Sequence, residues 1–258
     1  MRALRAHLLD AYLNGASLRA ANGRIRVTNI QQEITQKSSY GENTGLDGRR
    51  RHRTRRELIR VTVEFGLLEI YDATAREAAV EAANAWADDG ILRISSKPGR
   101  QLRVQCRARA AIREPRNPKE RFSIVFETAE SPFWEDVSPA RLTLSGTEAS
   151  QAFRIPGTTA MEGEVRITPG SGTLSSLQLS LGGSAFSFAG LNVAAGHTLI
   201  IDHDENGYLR IRADNVSRLS CRSAESDDEL LAGPGQALAS FTADTPCSVV
   251  FLARGRYR

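Results

Sequence analysis

The sequence has few cysteines and no long apolar run. Cys106, Cys221 and Cys247 lie far apart in a chain of 258 residues, which fits unpaired thiols in a reducing compartment better than a disulfide framework. No apolar run approaches the ~20 residues that a membrane-spanning helix needs, so we expect no membrane partner. The apolar patch Leu8–Leu13 is interrupted by Asp10 and lacks a small-residue cleavage site, which argues against a secretion signal.

Lysine is almost absent as well. The chain has 34 Lys and Arg residues against 30 Asp and Glu residues, a formal net charge of +4, and only three of the basic residues are lysine. Arginine favours planar, bidentate pairing with carboxylate or phosphate. Codon bias in a GC-rich genome would enrich arginine too, so composition alone does not select a partner.

One strand-like segment changes character halfway along. Its alternate positions are Arg49, Arg51, Arg53 and Arg55, then Glu57, then Ile59, Val61, Val63 and Phe65. An unbroken extended strand would place all of them on one face. The apolar half needs a core, and the arginine half cannot enter that core unpaired. We therefore predict one long strand that leaves a β-sandwich as a charged arm, about residues 36–57, and binds another molecule.

The arm is predicted to be a β-hairpin. Arg24–Thr35 alternates like a strand, with a shift at Thr28-Asn29 that indicates a bulge. Ser38–Gly48 is rich in turn residues, and the long strand Arg49–Glu69 follows it. The candidate subunit-interface residues on this arm are Tyr40, Leu46, Arg49, Arg50, Arg51, Arg53, Arg55 and Arg56.

The arginine tract has three interpretations: a solvated charged loop, a nucleic-acid patch, or a contact for an acidic protein surface. Same-face neighbours in a strand lie about 7 Å apart, and each like-charge pair costs about 0.6 kcal/mol in water. This repulsion is small enough for the tract to stand in solvent, and an acidic or phosphate partner would offset it. Nucleic-acid binders of the unstructured kind interleave aromatic with basic residues, and Tyr40 is the only nearby aromatic. We favour an acidic surface on an identical neighbour and expect no specific nucleic-acid binding.

One helix is predicted in the first half of the chain. Thr74–Glu77 follows the capping-box pattern S/T-x-x-E, and Gly90 is placed to end the helix. The face behind the cap is rich in alanine, which suits close packing on a sheet, and Trp86 is expected to be a core anchor. Further strands are predicted at Ile91–Ile94, Leu102–Ala108 and Phe122–Thr128.

From residue 140 onward the pattern becomes all-β. About eight short apolar runs between Gly, Pro and Ser clusters predict a sandwich or jelly roll. We place the boundary in Glu135–Ser138, which gives domains at residues 1–136 and 137–258. The apolar runs are Leu142–Leu144, Val165–Ile167, Leu174–Leu181, Phe186–Phe188, Leu199–Ile201, Leu209–Ile211, Ala239–Phe241 and Val249–Leu252.

The register of one hairpin can be predicted from burial. If residues 205–207 form a three-residue loop with Gly207 left-handed, Ile201 faces Ile211 on the apolar side and Asp202 faces Arg210 on the other. A two-residue Asn-Gly loop would place Ile211 opposite Asp202. Because burial sets register, the pattern selects the longer loop.

Motifs for catalysis and metal binding are weak. The chain has no G-x-S-x-G elbow, P-loop or dinucleotide fingerprint in a strand–helix context. Asp202–Gly207 matches the start of a calcium loop, but the twelfth position is Ala213 instead of glutamate, so we interpret it as an acidic turn. Carboxylates adjacent in sequence do not define a glycosidase pair. We expect no enzymatic activity, cofactor or metal.

A family resemblance follows from the order of several segments. They are Ser131–Asp136, Ile155–Thr158, Phe188–Leu191, Leu199–Asp202 and Arg254–Tyr257. With the arm and the single helix, this order resembles the distal tail proteins of long, flexible-tailed phages. The resemblance implies a mainly β chain: a β-sandwich-like N-terminal domain that forms a ring and carries one helix and the hairpin arm, followed by a galectin-like or jelly-roll C-terminal domain.

The resemblance also implies a role at the virion tail tip, after assembly in the host cytoplasm. Such proteins form homo-hexameric rings that join the tail tube to the baseplate or tip fibre, with the arm embracing the next subunit. The implied partners are further copies of the chain, the tail tube protein, the tape measure protein and the tail-tip, or tail-associated, protein. The alternative is a carbohydrate-binding module for host surface glycans, with Tyr208 as the first candidate contact.

Overall fold

The computed structural model describes residues 9–42, 49–68, 72–112, 121–129, 131–204 and 207–257, and along 36–42 and 49–57 it describes the backbone. The chain divides into two compact units, Met1–Trp134 and Glu135–Arg258. Both units are built mainly from antiparallel strands, so the predicted mainly β, sandwich-like fold class is confirmed. Among the described residues, neither helix has the length and apolar character needed to cross a membrane.

The first unit is one large antiparallel sheet with two helices, and the longer helix packs on the sheet. The strand order is β2-β1-β5-β6-β7-β4-β3. Its elements are β1 (Ala11–Leu13), β2 (Ala16–Ser17), α1 (Leu18–Ala21), β3 (Ile25–Glu42), β4 (Arg49–Leu67), α2 (Ala73–Trp86), β5 (Gly90–Ile94), β6 (Arg100–Ala108) and β7 (Phe122–Thr128), followed by β8 (Trp134–Asp136) where the chain passes into the second unit.

The inner half of β4 supplies the core, as the alternating pattern predicted. Ile59, Val61, Val63 and Phe65 are each no more than 1% exposed, whereas the residues between them are half-buried or exposed. The Phe65 ring stacks on Phe122 of β7, with centroids 5.5 Å apart. Buried and more exposed residues therefore alternate along this half of β4, because one face of the strand packs in the core.

Helix α2 begins earlier than the capping box predicts. The N-cap is Asp72, whose carboxylate accepts from the backbone N–H groups of Thr74 and Ala75. The predicted cap at Thr74 is wrong because the helix begins two residues earlier, where the Asp72 side chain accepts from the first free N–H groups of the helix. Gly90 does not end the helix either: the helix stops at Trp86, and Gly90 opens β5.

The helix packs on the sheet through small residues and one tryptophan. Ala79 and Ala83 are fully buried. The half-buried Trp86 ring meets Phe126 of β7 edge-on, with centroids 5.9 Å apart, and its Nε1 donates to the Ala16 carbonyl over 2.8 Å. Thin alanine side chains bring the helix close to the sheet, and the indole anchors its last turn.

In the described residues, the second unit consists of β-strands and one short 3-10 turn. Its main strand order is β12-β11-β17-β10-β13-β14-β15, with β9 paired to β17 and β16 paired to β10. The elements are β9 (Ala140–Ile155), β10 (Met161–Pro169), β11 (Leu174–Leu181), β12 (Ser184–Val193), β13 (Leu199–His203), β14 (Leu209–Ala213), β15 (Val216–Ser217), a 3-10 turn (Leu219–Cys221), β16 (Leu231–Ala232), β17 (Gly235–Ala253) and β18 (Arg256–Tyr257).

Strand β17 organises this unit. The two runs that were predicted as separate strands, Ala239–Phe241 and Val249–Leu252, belong to this one continuous strand. One side of β17 pairs with β9, and the other pairs with β11 through residues 239–243 and with β10 through residues 247–253. A register irregularity between Thr242 and Cys247 separates the two parts. A strand that changes neighbours at an irregularity is typical of a sheet that folds over its own core.

The β13–β14 hairpin has the predicted register. Ile201 pairs with Ile211, and Asp202 pairs with Arg210. The backbone N–H of Asp204 donates to the Tyr208 carbonyl at 2.9 Å, and Gly207 has φ +83°. Burial of the two isoleucines therefore decides the loop length, as expected.

Candidate functional site: the hairpin arm

The candidate site is the outer part of the β3–β4 hairpin, residues 36–42 and 49–57, which we call the arm. Strand β7 pairs with β4 only over Arg60–Phe65. Beyond that point, from Gln36 opposite Arg56 to Glu42 opposite Arg49, the described strands pair with each other alone. A two-stranded ribbon without a further strand or helix is marginally stable in water. The arm therefore gains stability from any surface that receives it.

The predicted interface residues lie together on this arm, with one exception. Arg49, Arg50, Arg51, Arg53, Arg55 and Arg56 all lie on β4. Tyr40 lies on β3, opposite Arg51. Leu46 lies outside the described residues. The predicted continuity of β4 from Arg49 into the core is confirmed, because β4 is one strand over Arg49–Leu67.

The predicted alternation along that strand is interrupted. Register shifts leave two β4 residues without an opposing residue on β3, namely His52 and Glu57. Each bulge adds one residue and changes the phase of the side-chain alternation. The interpretation that a single unbroken face runs from Arg49 to Phe65 is therefore wrong. The predicted bulge at Thr28 is confirmed, since Val27 pairs with Phe65 and Asn29 with Glu64.

The turn-rich segment is also shorter than predicted. Ser38 to Glu42 extend β3 instead of forming a turn. Pairing with the arginine-rich part of β4 holds these small and polar residues in the ladder, although their intrinsic preference is for turns.

An ion-pair network ties the arm to the sheet at its root. Arg60 of β4 and Arg107 of β6 both bind Glu127 of β7, at 2.7 Å and 3.0 Å. The hydrogen bond from Arg60 is the main cause that holds the pKa of Glu127 below its ordinary value, against partial burial, which raises it. Next to this network, the Ile59 backbone N–H donates to Thr128 Oγ1 at 3.0 Å. The Thr128 hydroxyl thus provides an acceptor for β4 at the point where backbone pairing between β4 and β7 ends.

A second contact holds the β3 side of the root. The Gln32 side-chain oxygen accepts from Trp134 Nε1 at 3.1 Å and from Lys97 Nζ at 2.8 Å. Lys97 Nζ also lies 4.7 Å from the centroid of the Trp134 ring, in cation–π geometry. The indole is 2% exposed, so Gln32 satisfies a buried donor. Both strands are thus fixed by side chains at the point where the arm begins.

The arm and the residues that join its two strands carry an excess of positive charge equal to that of the whole chain. Between residues 36 and 57 the sequence has seven basic residues, one lysine and six arginines, against three acidic ones. That excess of four equals the formal net charge of +4 for the whole chain. Outside residues 36–57, basic and acidic residues are equal in number. Long-range attraction toward an acidic partner therefore acts mainly on the arm.

Polar contacts in the second unit stabilise the fold. Arg256, 19% exposed in its side chain, binds Glu135 at 3.1 Å and Glu162 at 3.0 Å. Burial alone would lower the pKa of Arg256, and the two carboxylates outweigh it and raise the pKa. Tyr208, the predicted sugar contact, is 73% exposed.

The residues that fix the root were not among the predicted site residues. Gln32, Thr128 and Trp134 act through partners that lie far away in sequence; Gln32 and Trp134, for example, are 102 positions apart. Trp134 stood in the segment that carried the family resemblance, which was the only signal. No local pattern marks a glutamine or threonine for such a role.

Comparison with known proteins gives a likeness of structure. No known family profile and no curated protein sequence matches the chain. The crystal structure of the phage SPP1 Dit protein, described as a paradigm of the hub adsorption apparatus in phages that infect Gram-positive bacteria, matches with a TM-score of 0.72 at 14% identity, over 95% of this chain and 98% of that chain. The chain therefore has the fold of a phage distal tail protein, as the resemblance predicted.

Two further structures match less closely. They show the phage P2 baseplate in its activated conformation, with Ca and with Sr, at TM-scores of 0.46 and 0.44. The identities are 8% and 9%, over 96% and 95% of this chain and 98% and 97% of those chains. Of these three structures, we base the fold on SPP1 Dit, whose TM-score is 0.72.

Proposed function

We propose that this protein is a structural component of a phage tail tip. Copies of the chain form a ring of six that joins the tail tube to the baseplate or tip fibre. The observation that carries the proposal is the SPP1 Dit fold over 95% of the chain, together with an arm that pairs with no other described strand. The role is mechanical and needs no catalysis, so we propose no enzymatic activity.

The arm is the proposed ring contact. Its two strands are marginal alone, its root is fixed by Gln32 and Glu127, and it has a positive excess that the rest of the chain lacks. A stiff root and a charged outer part suit a segment that reaches over an acidic surface of the next copy. Arginine pairs bidentately with carboxylates there, which gives a defined geometry as well as attraction.

The remaining assignments follow from the same proposal. Residues 1–136 are the ring-forming domain with the arm, and residues 137–258 are a galectin-like β-sandwich. The partners are the tail tube protein, the tape measure protein and the tail-tip protein, and the protein resides at the virion tail tip after assembly in the host cytoplasm. The likeness to SPP1 Dit supports these assignments, because it covers 95% of this chain and so includes residues of both units.

The test is the mass of the assembly in solution. Native mass spectrometry of the full chain should show a six-copy species. Changing Arg49, Arg50 and Arg51 together to glutamine should abolish it, because three positive charges leave the arm. The matched control changes three exposed arginines outside the arm, Arg93, Arg121 and Arg141, to glutamine and should retain the six-copy species.

Deletion of residues 38–56 is the stronger variant. A ring that persists at full yield in both the triple variant and the deletion would contradict the proposal. If the wild-type chain alone is monomeric, the same comparison is made with the tail tube protein added, since the ring can require a template. A monomer with the template as well would equally contradict the proposal.

A second candidate function is carbohydrate binding by the second unit. The observation that favours it is the 73% exposure of Tyr208, since sugar faces stack on exposed aromatic rings. A glycan array with the folded full chain tests it, with Tyr208→Ala as the variant. Binding that this variant loses would support the role, and no binding by the wild-type chain would remove it.

A further inference from the structure

The second unit has one long sheet edge that pairs with nothing in the described residues. Strand β9 is 16 residues long; β17 pairs with one side of it, and no described strand pairs with the other. Unprotected edges bind further strands, and natural proteins shorten or cover them when no partner is intended. A free edge of this length is therefore a candidate interaction surface.

The other edges of this unit are short or covered. Strand β15 has two residues. Along β12, the Asp227 N–H donates to the Ala185 carbonyl at 3.0 Å, and the Ser223 N–H donates to the Ser187 carbonyl at 2.8 Å. These bonds close that edge with a loop. The chain thus protects one edge and leaves the β9 edge open.

The half of β9 from Glu148 to Ile155 has a self-complementary charge pattern. Glu148, Ser150, Ala152 and Arg154 are all exposed and share one face by alternation. The only charges on that face are a carboxylate at one end and a guanidinium at the other. In an antiparallel pair of two such strands, each glutamate lies opposite an arginine; in a parallel pair, like charges meet.

Apolar exposure on the neighbouring strand supports the same surface. Leu238 of β17 lies opposite Ala152 in the register and is 57% exposed. An added strand along β9 would extend this face of the sheet beyond Ala152 and reduce the contact of the leucine with water. Covering this leucine would add the burial of apolar surface to the backbone pairing along the edge.

We infer that the β9 edge pairs antiparallel with the β9 edge of a second copy of this chain. Glu148 then pairs with Arg154 of the other copy at both ends, and Gln151 meets its own equivalent at the two-fold axis. The result is an isologous contact, different in kind from a head-to-tail ring contact. The inference does not depend on the arm, so the two contacts can be tested separately.

The experiment is a charge swap in the full chain, measured by sedimentation velocity over a range of protein concentrations. It uses the background of the arm variant with Arg49, Arg50 and Arg51 changed to glutamine. Glu148→Arg alone and Arg154→Glu alone each create two like-charge contacts and should weaken dimerisation about tenfold. The double swap E148R/R154E restores opposite charges at both ends and should recover the dimer affinity of the parent arm variant.

Hydrogen exchange on the same samples locates the contact. Amides of residues 148–155 should become protected as concentration rises in the arm variant and in the double swap, but not in the single swaps. Single swaps that dimerise like their parent would overturn the inference, as would a double swap that stays as weak as the singles. Unchanged exchange over residues 148–155 in a dimeric sample would place the contact elsewhere and equally overturn it. None of these results tests the six-copy ring, which is tested separately by native mass spectrometry of the arm variants.

Discussion

The side-chain oxygen of Gln32 accepts from the Trp134 indole N–H at 3.1 Å and so connects the root of the arm to the last residue of the first unit. We expect Gln32→Ala to destabilise the first unit by about 1–3 kcal/mol, because it leaves a buried indole N–H without an acceptor. Urea unfolding followed by tryptophan fluorescence measures this. Gln31→Ala, at the exposed neighbouring position, is the matched control and should change stability little. Equal effects of the two changes would show that the Gln32 contact contributes nothing.

Glu127 makes the stability of the first unit dependent on pH. Its pKa in the folded state lies below the ordinary value of 4.5, chiefly because Arg60 donates to it. A carboxylate with a lowered pKa stabilises the fold fully above its unfolded pKa, and this contribution is lost as the pH falls through the folded value. We expect the melting temperature to fall on acidification from pH 5 to pH 3, and to fall less for Glu127→Gln. Parallel profiles for the two proteins would contradict this.

The start of helix α2 gives a test between two capping residues. Asp72→Ala removes the acceptor for two backbone N–H groups and should cost about 1 kcal/mol. Thr74→Ala, at the cap that the sequence motif predicted, should change stability by only a few tenths of a kcal/mol. Thermal unfolding by circular dichroism compares them. A larger loss for the threonine variant would restore the capping-box assignment.

The arginine-rich arm is expected to bind no nucleic acid specifically. Phosphate contacts are strongest at low salt, so a gel-shift assay across salt concentrations is the appropriate measurement. We expect any shift to be weak, independent of sequence and absent at physiological salt. Tight, sequence-dependent binding that survives at this salt concentration would show that the arm recognises nucleic acid instead of a protein surface.

The sequence predicted what depends on local periodicity. The inner half of β4 and the β13–β14 register could be predicted because burial on one face forces a period of two. The cap of α2 was misplaced because Asp72 and Thr74 are both good N-cap residues, and only the folded backbone decides between them. Bulges at His52 and Glu57 had no signal, since they arise from pairing with β3.

Long-range contacts escaped the sequence for a different reason. The Gln32–Trp134 bond joins residues 102 positions apart, and a glutamine in an exposed-looking strand carries no mark of its partner. The openness of the β9 edge was equally invisible, because it depends on which strands surround β17. The arm itself was predicted from its charge, but its isolation from other strands became evident only from the pairing.

Amide hydrogen exchange of the arm during assembly tests the central claim most directly. The full chain is compared at concentrations below and above those at which the six-copy species forms, and peptides covering residues 36–42 and 49–56 are followed. We predict strong protection of both strands in the assembled state and rapid exchange in the monomer, because an isolated two-stranded ribbon is marginal and becomes stable against a neighbour. Formation of the six-copy species without any change in arm exchange would contradict the account.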